Sequence, residues 1–346
     1  MTDLLNLTYP ELEQFILALG GEKFRAGQMM KWLYRGAGIP EMTNLSAAFR
    51  DKLAAVAYVG KIKIEKKFLS KLDETVKYLL KLEDGNLIEA VFMKYLHGDT
   101  VCISTQVGCR MGCRFCASTK AGLLRDLTAG EMISQIMTVS ADAGERISNV
   151  VLMGIGEPLD NFDNVVKFLE IVNHPDGLCI GHRHISLSTC GMADKIRALA
   201  DMGLQITLSV SLHQTDDAKR SGIMPVNKRF HVAELLDACR YYIEKTNRRV
   251  SFEYAMIEGV TDSPADAKNL GKVLRGMLCH VNLIPVNDVE GTGFRRSGRQ
   301  RIQAFAAELQ KYGVTATVRR ELGGDISASC GQLRVNAINC ELPGTM

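Results

Sequence analysis

Three cysteines fall within eight positions of the stretch QVGCRMGCRFCAST: Cys109, Cys113 and Cys116, separated by three residues and then by two. Clustered thiolates are soft ligands and point to zinc or to iron–sulfur chemistry. Structural zinc sites usually take four ligands, often as two Cys-x-x-Cys pairs, and the chain has no second such pair. An iron–sulfur cube also normally takes four cysteines. Three on one loop would leave one iron with an open coordination position, which suits work on a ligand rather than electron storage alone. Gly108 and Gly112 let such a loop close tightly. On these residues alone, a three-cysteine zinc site completed by a distant ligand stays open as an alternative.

Other residues able to do chemistry sit where apolar segments end. GIGEP puts Gly156 and Glu157 directly after NVVLM. Glycine lets backbone approach a ligand, and a carboxylate accepts hydrogen bonds from an amine. A dinucleotide fingerprint would need glycine at 159, where the chain has leucine. Ser188, Ser211, His213 and Asn287, with Leu212 between two of them, occupy similar places. One such polar residue reads as a cap or turn; four at the same end of a sheet read as ligand contacts. Cys102 and Cys330 lie outside the cluster, and neither alone rises above a buried thiol. Cys179, Cys239 and Cys279 lie inside apolar segments and read as core.

The elements that must position these residues are legible in the periodicity. Residues 1–57 carry apolar residues at helical spacing, broken by GAGIP at 36–40, and predict a small helical domain. Residues 58–100 shift to short alternating or apolar runs, with EDGN as a turn, and predict a β-rich extension. From 101 onward apolar strands at 101–105, 149–153, 184–189, 205–211, 250–256 and 280–286 are each followed by a helical pattern. Six β-then-α units demand a parallel sheet. They are too few for an eight-stranded barrel, so the α/β core over 101–320 is expected to be an open, partial (β/α)6 barrel or a doubly wound sheet, with a last strand at VTATVRR and a C-terminal segment over 321–346. Ligands in such folds sit at the C-terminal ends of the strands. The cysteine loop, GIGEP, STCG, SLH and PVN all fall there.

Bulk composition sets limits. Hydrophobic residues make up 46% of 346 residues and the net charge is only +3, so affinity for nucleic acid must come from local patches. Candidate patches are Arg295, Arg296, Arg299 and Arg301; Arg319 and Arg320; the lysine-rich 61–71; and Lys23, Arg25, Lys31 and Arg35. A disulfide scaffold is disfavoured for ten cysteines in a chain of this length. No basic, apolar leader opens the sequence, and no apolar run reaches the roughly 20 residues of a membrane span. A cytoplasmic, non-membrane monomer is expected.

The spacing Cys-x-x-x-Cys-x-x-Cys after the first strand of a six-fold βα core resembles the radical S-adenosylmethionine (SAM) superfamily. The stretches VCISTQVGCRMGCRFCAST, VVLMGIGEPLDNFDNV, ISLSTCG, LSVSLH, VNLIPVN and DISASCGQL further resemble the RlmN-type RNA adenine-C2 methyltransferases, relatives of the Cfr-type C8 enzymes. The resemblance implies a 4Fe-4S cluster on Cys109, Cys113 and Cys116, its open iron chelated by SAM. It implies SAM contacts from Gly156, Glu157, Ser188, Ser211, Leu212, His213 and Asn287. It also implies roles for three further residues. Cys330 would carry the methyl group as S-methylcysteine, Glu89 would accept the adenine proton, and Cys102 would resolve the protein–RNA adduct as a transient Cys102–Cys330 disulfide. An aromatic C–H is a poor nucleophile, and covalent catalysis splits its methylation into easier steps. The implied substrates are an adenosine of 23S rRNA at the peptidyl-transferase centre and the adenosine beside the anticodon in tRNAs, splayed out to reach the site. An external one-electron reductant is required. The competing readings are the same chemistry at C8, a metal-stabilised RNA-binding module without catalysis, and an activating enzyme for a glycyl radical partner, which would leave Cys102 and Cys330 unused.

Overall fold

The computed structural model describes residues 1–287, 292–320, 322–328 and 332–333. The N-terminal unit is closed on itself by a short parallel pair, β1 (Thr2–Asp3) with β2 (Ala57–Tyr58). Between them run α1 (Tyr9–Ala18), α2 (Arg25–Leu33) and α3 (Ala47–Val56). Helix α1 starts as its sequence dictates. Thr8 and Glu11 form a reciprocal capping box, and Pro10 sits in the first turn, where its missing N–H costs nothing. Leu12, Ile16, Met29, Leu33 and Leu53 turn inward and are buried in a core continuous with the rest of the chain.

A ten-stranded sheet dominates the rest. It begins with the antiparallel meander β3 (Lys63–Leu69), β4 (Val76–Lys81) and β5 (Leu87–Met93), and β5 pairs antiparallel with β6 (Thr100–Cys102). The extension strands therefore continue the central sheet. Lysine-rich β3 is its outer edge, where exposed charge discourages pairing with another chain. The chain then leaves the sheet. Sequence periodicity predicts a strand through 105, but at Ser104 the amide turns to the Gln135 side chain at 2.9 Å while the Ser104 hydroxyl donates to the Glu89 carbonyl at 2.7 Å. A separate hairpin follows, β7 (Gln106–Gly108) against β8 (Leu123–Asp126).

After α4 (Ala129–Ala143) the parallel series resumes: β9 (Asn149–Leu152), α5 (Phe162–Asn173), β10 (Ile185–Thr189), α6 (Ala193–Asp201) and β11 (Thr207–Ser211). It continues through α7 (Asp217–Ile223), α8 (Val232–Thr246), β12 (Val250–Met256), α9 (Pro264–Leu274), β13 (Cys279–Pro285), α10 (Arg299–Gln310) and β14 (Ala316–Val318). Strands β6, β9, β10, β11, β12, β13 and β14 lie side by side in that order and all parallel. The six βα units are those expected, and β14 and β3 stand at opposite edges of an open sheet.

Parallel strands covered on both faces read as continuous apolar runs; these alternate. Leu152, Leu187, Leu208, Val210, Phe252, Val281 and Leu283 are buried on one face. Ser188, Ser209, Ser211, Glu253 and Asn282 share the other, cross-strand neighbours by register. Ser188, Ser211 and Asn282 remain half-exposed there. The polar face is the inside of the partial barrel, and substrate can reach it. Among the described residues no helix is long and apolar enough to cross a membrane.

Candidate active site

The three clustered cysteines all lie inside the β7–β8 hairpin. Cys109 N–H donates to the Gly122 carbonyl at 2.9 Å and Cys116 N–H to the Cys113 carbonyl at 3.1 Å. The Thr119 hydroxyl donates to the Cys116 carbonyl at 3.0 Å. Gly108 has φ +80°, and a Cβ there would stand 1.9 Å from the Gly122 oxygen. Only glycine lets the two arms meet. Gly108→Ala should therefore add roughly 1–3 kcal/mol of backbone strain besides a collision that opens the hairpin. The expected protein keeps wild-type far-UV circular dichroism but loses most of its iron after anaerobic reconstitution; wild-type iron content would refute the close-approach argument.

Cys109, Cys113 and Cys116 border a solvent-open cavity of about 1010 Å³ together with Gly156, Glu157, Ser188, Ser211, His213 and Asn287. The strand ends thus bring together all but one of the residues expected to contact SAM. Leu212 is the exception. Its side chain is fully buried and does not border the cavity, because a residue next to inward-facing Ser211 projects to the opposite side. Its backbone joins strand ends instead: the Leu212 amide donates to the Glu253 carbonyl, and its carbonyl accepts from Arg220 Nε at 2.9 Å.

Glu157 is buried, and each carboxylate oxygen already accepts a backbone N–H, from Leu159 at 3.0 Å and from Cys190 at 2.7 Å. It ties GIGEP to STCG at the cavity wall. Burial pushes this carboxyl above its ordinary range, opposed by the Cys190 bond. Gly156, at φ +113°, is locked against Gln106, where a Cβ would come within 2.7 Å of the Gln106 Cβ. His213 Nδ1 accepts the Ala255 N–H at 2.9 Å, and burial pushes the ring down to about 3, so the imidazole is neutral. Its ring meets the edge of Phe115 from the cysteine hairpin, centroids 4.9 Å apart.

Arg220, Glu253 and Asn282 escaped the sequence reading. Arg220 is fully buried and donates to the carbonyls of Cys190 at 2.7 Å and Ser211 at 3.0 Å, stitching two cavity-lining strand ends together. Glu253 accepts from Asn282 at 2.9 Å and lies 3.8 Å from Arg319, which also lines the cavity. The alternation in TLSVS and CHVNLIP was the available signal for this polar interior. Arg295, Arg296, Arg299 and Arg301 are exposed.

Cys102 and Glu89 do not border the cavity. Cys102 pairs with Val91 and Val151, and Glu89 lies two residues along β5 from Val91, so both project from the same polar face of the sheet. Glu89 is on an inner strand and is buried, 3.3 Å from the equally buried Lys77 Nζ; a solvated edge glutamate it is not. Cys330 lies outside the described residues.

The donor set fits the expected cluster. Three thiols on one hairpin, all bordering the cavity, are the number the expected cluster needs while one iron stays open. Burial pushes the Cys109 thiol up to about 12 and Cys113 well above the usual thiol range. Bound iron would draw those protons off, as metal binding to thiols does generally.

Comparison with known proteins agrees with this geometry. A model of the radical SAM superfamily matches residues 103–270, and a model of the ribosomal RNA large subunit methyltransferase N-terminal domain matches residues 2–59. A probable dual-specificity RNA methyltransferase RlmN from Alkaliphilus oremlandii is 55% identical over 333 residues, covering 96% of this chain and 97% of that protein. One from Clostridium perfringens is 52% identical, again covering 96% and 97%. The crystal structure of a radical SAM methyltransferase from Sphaerobacter thermophilus matches with a TM-score of 0.92 at 41% identity, covering 97% of this chain and 100% of that one. A cysteine hairpin facing a cavity at the ends of parallel strands, joined to this N-terminal helical unit, places the chain in the RlmN family of radical SAM RNA methyltransferases, enzymes that work with a 4Fe-4S cluster and SAM.

Proposed function

We propose that this protein methylates C2 of an adenosine in 23S rRNA and of the adenosine beside the anticodon in tRNAs, in the cytoplasm. The observation that carries the reading is the shared polar face. The cysteine hairpin faces the same cavity as the strand ends, and Cys102 and Glu89 project from that side of the ten-stranded sheet. When bound, the cluster and SAM supply one-electron cleavage of a sulfonium and a radical able to take hydrogen from a methyl group.

The chain's own residues would do the rest. Cys109, Cys113 and Cys116 hold the cluster. Gly156 lets backbone approach SAM, and Glu157 accepts from its amine. Cys330, as thiolate, takes a methyl group by displacement from one SAM. Once activated, that carbon bonds to the electron-poor C2 and tethers RNA to protein. Glu89 accepts the C2 proton. Cys102 then attacks the Cys330 sulfur, so that an S–S bond forms as the S–C bond breaks. The leaving carbon takes up the Cys102 proton to become the methyl group, the adduct's unpaired electron would pass back to the bound cluster, and an external two-electron reductant resets the disulfide. The ion pair with Lys77 supports Glu89 as base, since it keeps a cation beside the carboxylate in a buried setting.

Mass-resolved nucleoside analysis tests the position. Ribosomal RNA and tRNA from cells lacking the protein should gain 2-methyladenosine when the wild type is supplied and none when Cys330→Ala is supplied. Appearance of 8-methyladenosine would instead assign C8.

A further inference from the structure

We propose that the turn between β3 and β4 is the seat of the methyl-carrying segment, with Asp325 as its anchor and Lys77 as the positioning residue that joins the seat to Glu89. The proposal rests on the reading of Cys330 as methyl carrier.

Residues 323–328 lead directly to Cys330 in sequence, and they are held by a part of the chain some 250 positions away. Both Asp325 carboxylate oxygens are used: Oδ1 accepts from the Ser70 hydroxyl and Oδ2 from the Lys71 N–H, each at 2.7 Å. The turn answers in kind, Asp73 Oδ2 accepting the Gly323 N–H at 3.1 Å. Between these polar ties Ile326 is buried against Phe68 and Leu79, in an apolar cluster separate from the main core. Gly323 makes the fit possible. It has φ +60°, and a Cβ there would stand 2.9 Å from Thr75 Cγ2.

Lys77 completes the seat. Its Nζ donates to the Ser327 carbonyl at 3.3 Å while lying 3.3 Å from Glu89 Oε1. One buried ammonium therefore contacts both the carboxylate assigned as base and the segment assigned as carrier. Beyond Cys330, the Ser118 hydroxyl, two residues past Cys116, donates to the Leu333 carbonyl at 2.9 Å. The carrier is thus flanked by one contact to the β3–β4 turn and one to the cysteine hairpin.

The physical need is clear. A thiol that must meet a methyl donor, an adenine and a resolving thiol in turn gains rate from a short tether on a fixed point, because local concentration replaces a random search. One residue, Ser329, separates Ala328 from Cys330, which limits the Cα reach to about 7 Å of extended chain. Carboxylates accepting backbone and hydroxyl donors are the stronger kind of hydrogen bond, and they suit an anchor.

Asp325 lies away from the cavity, so its replacement tests the seat without touching the cluster. Asp325→Ala should retain wild-type cluster absorbance. Hydrogen exchange of amides 323–328 should speed up roughly tenfold, given two lost charge-assisted bonds at an exposed site. Methyl groups transferred to RNA per 5′-deoxyadenosine released should fall several-fold. A general loss of stability would lower both products together and leave that ratio unchanged, which would overturn the proposal, as would wild-type exchange at 323–328. Lys77→Met should lower the same ratio. Cys330→Ala separates the two levels of inference. If Cys330→Ala still methylates, the carrier reading fails; if it is inactive while Asp325→Ala behaves as wild type, only the seat fails.

Discussion

Cys113→Ala protein, prepared anaerobically, should be colourless, should bind little iron and should release no 5′-deoxyadenosine from SAM under dithionite. The argument is one of ligand number. Three thiols on one hairpin are the least that hold a cube with one open iron, and no other described Cys, His, Asp or Glu converges with them to take a vacant place. The expected loss in SAM cleavage is at least ~10³-fold, about 4 kcal/mol of barrier. The hairpin itself should survive, since it is the Cys113 carbonyl, kept in alanine, that receives the Cys116 N–H and the Thr119 hydroxyl. Iron analysis, visible absorbance and circular dichroism on one sample check all three statements. Retention of a 4Fe-4S spectrum with SAM cleavage would remove Cys113 from the ligand set.

Cys102→Ala should do the opposite: leave the cluster intact and stop the reaction late. Cys102 is buried at the end of β6 between Val91 and Val151, where alanine is tolerated at a cost on the order of 1 kcal/mol. In the proposed scheme, methyl transfer to Cys330 and bond formation to adenine need no second thiol. Release does, because the carbon leaves Cys330 sulfur only when another sulfur attacks it. A covalent protein–RNA species should therefore accumulate to near one per enzyme. It should survive denaturing electrophoresis and be absent from the Cys102→Ala/Cys330→Ala double variant. Multiple turnovers by Cys102→Ala, with free methylated RNA, would end the resolving role.

Local features were readable from sequence because their causes are local. Cysteine spacing, the glycines that let the hairpin close and six alternations of strand and helix are all written in short stretches of the chain. They sufficed to place the cavity at the strand ends and to assemble most of its lining. The predicted strand at 101–105 was too long because Ser104 answers to Gln135 and to Glu89, partners that periodicity does not reveal. Leu212 could not be separated from Ser211 without knowing which face of β11 turns inward.

What only the tertiary structure decided are relations across the chain. That Glu89 is buried on an inner strand beside Lys77 could not be read from LIEAVFM. The polar interior built from Ser209, Glu253 and Asn282 exists only when β11, β12 and β13 are in register. The grip of Ser70, Lys71 and Asp73 on residues 323–325 joins positions that no short-range pattern connects. The sequence determined the chemistry of the site through residue types and spacing; the fold alone determined which groups share a face, because register and burial are set by pairings between distant segments.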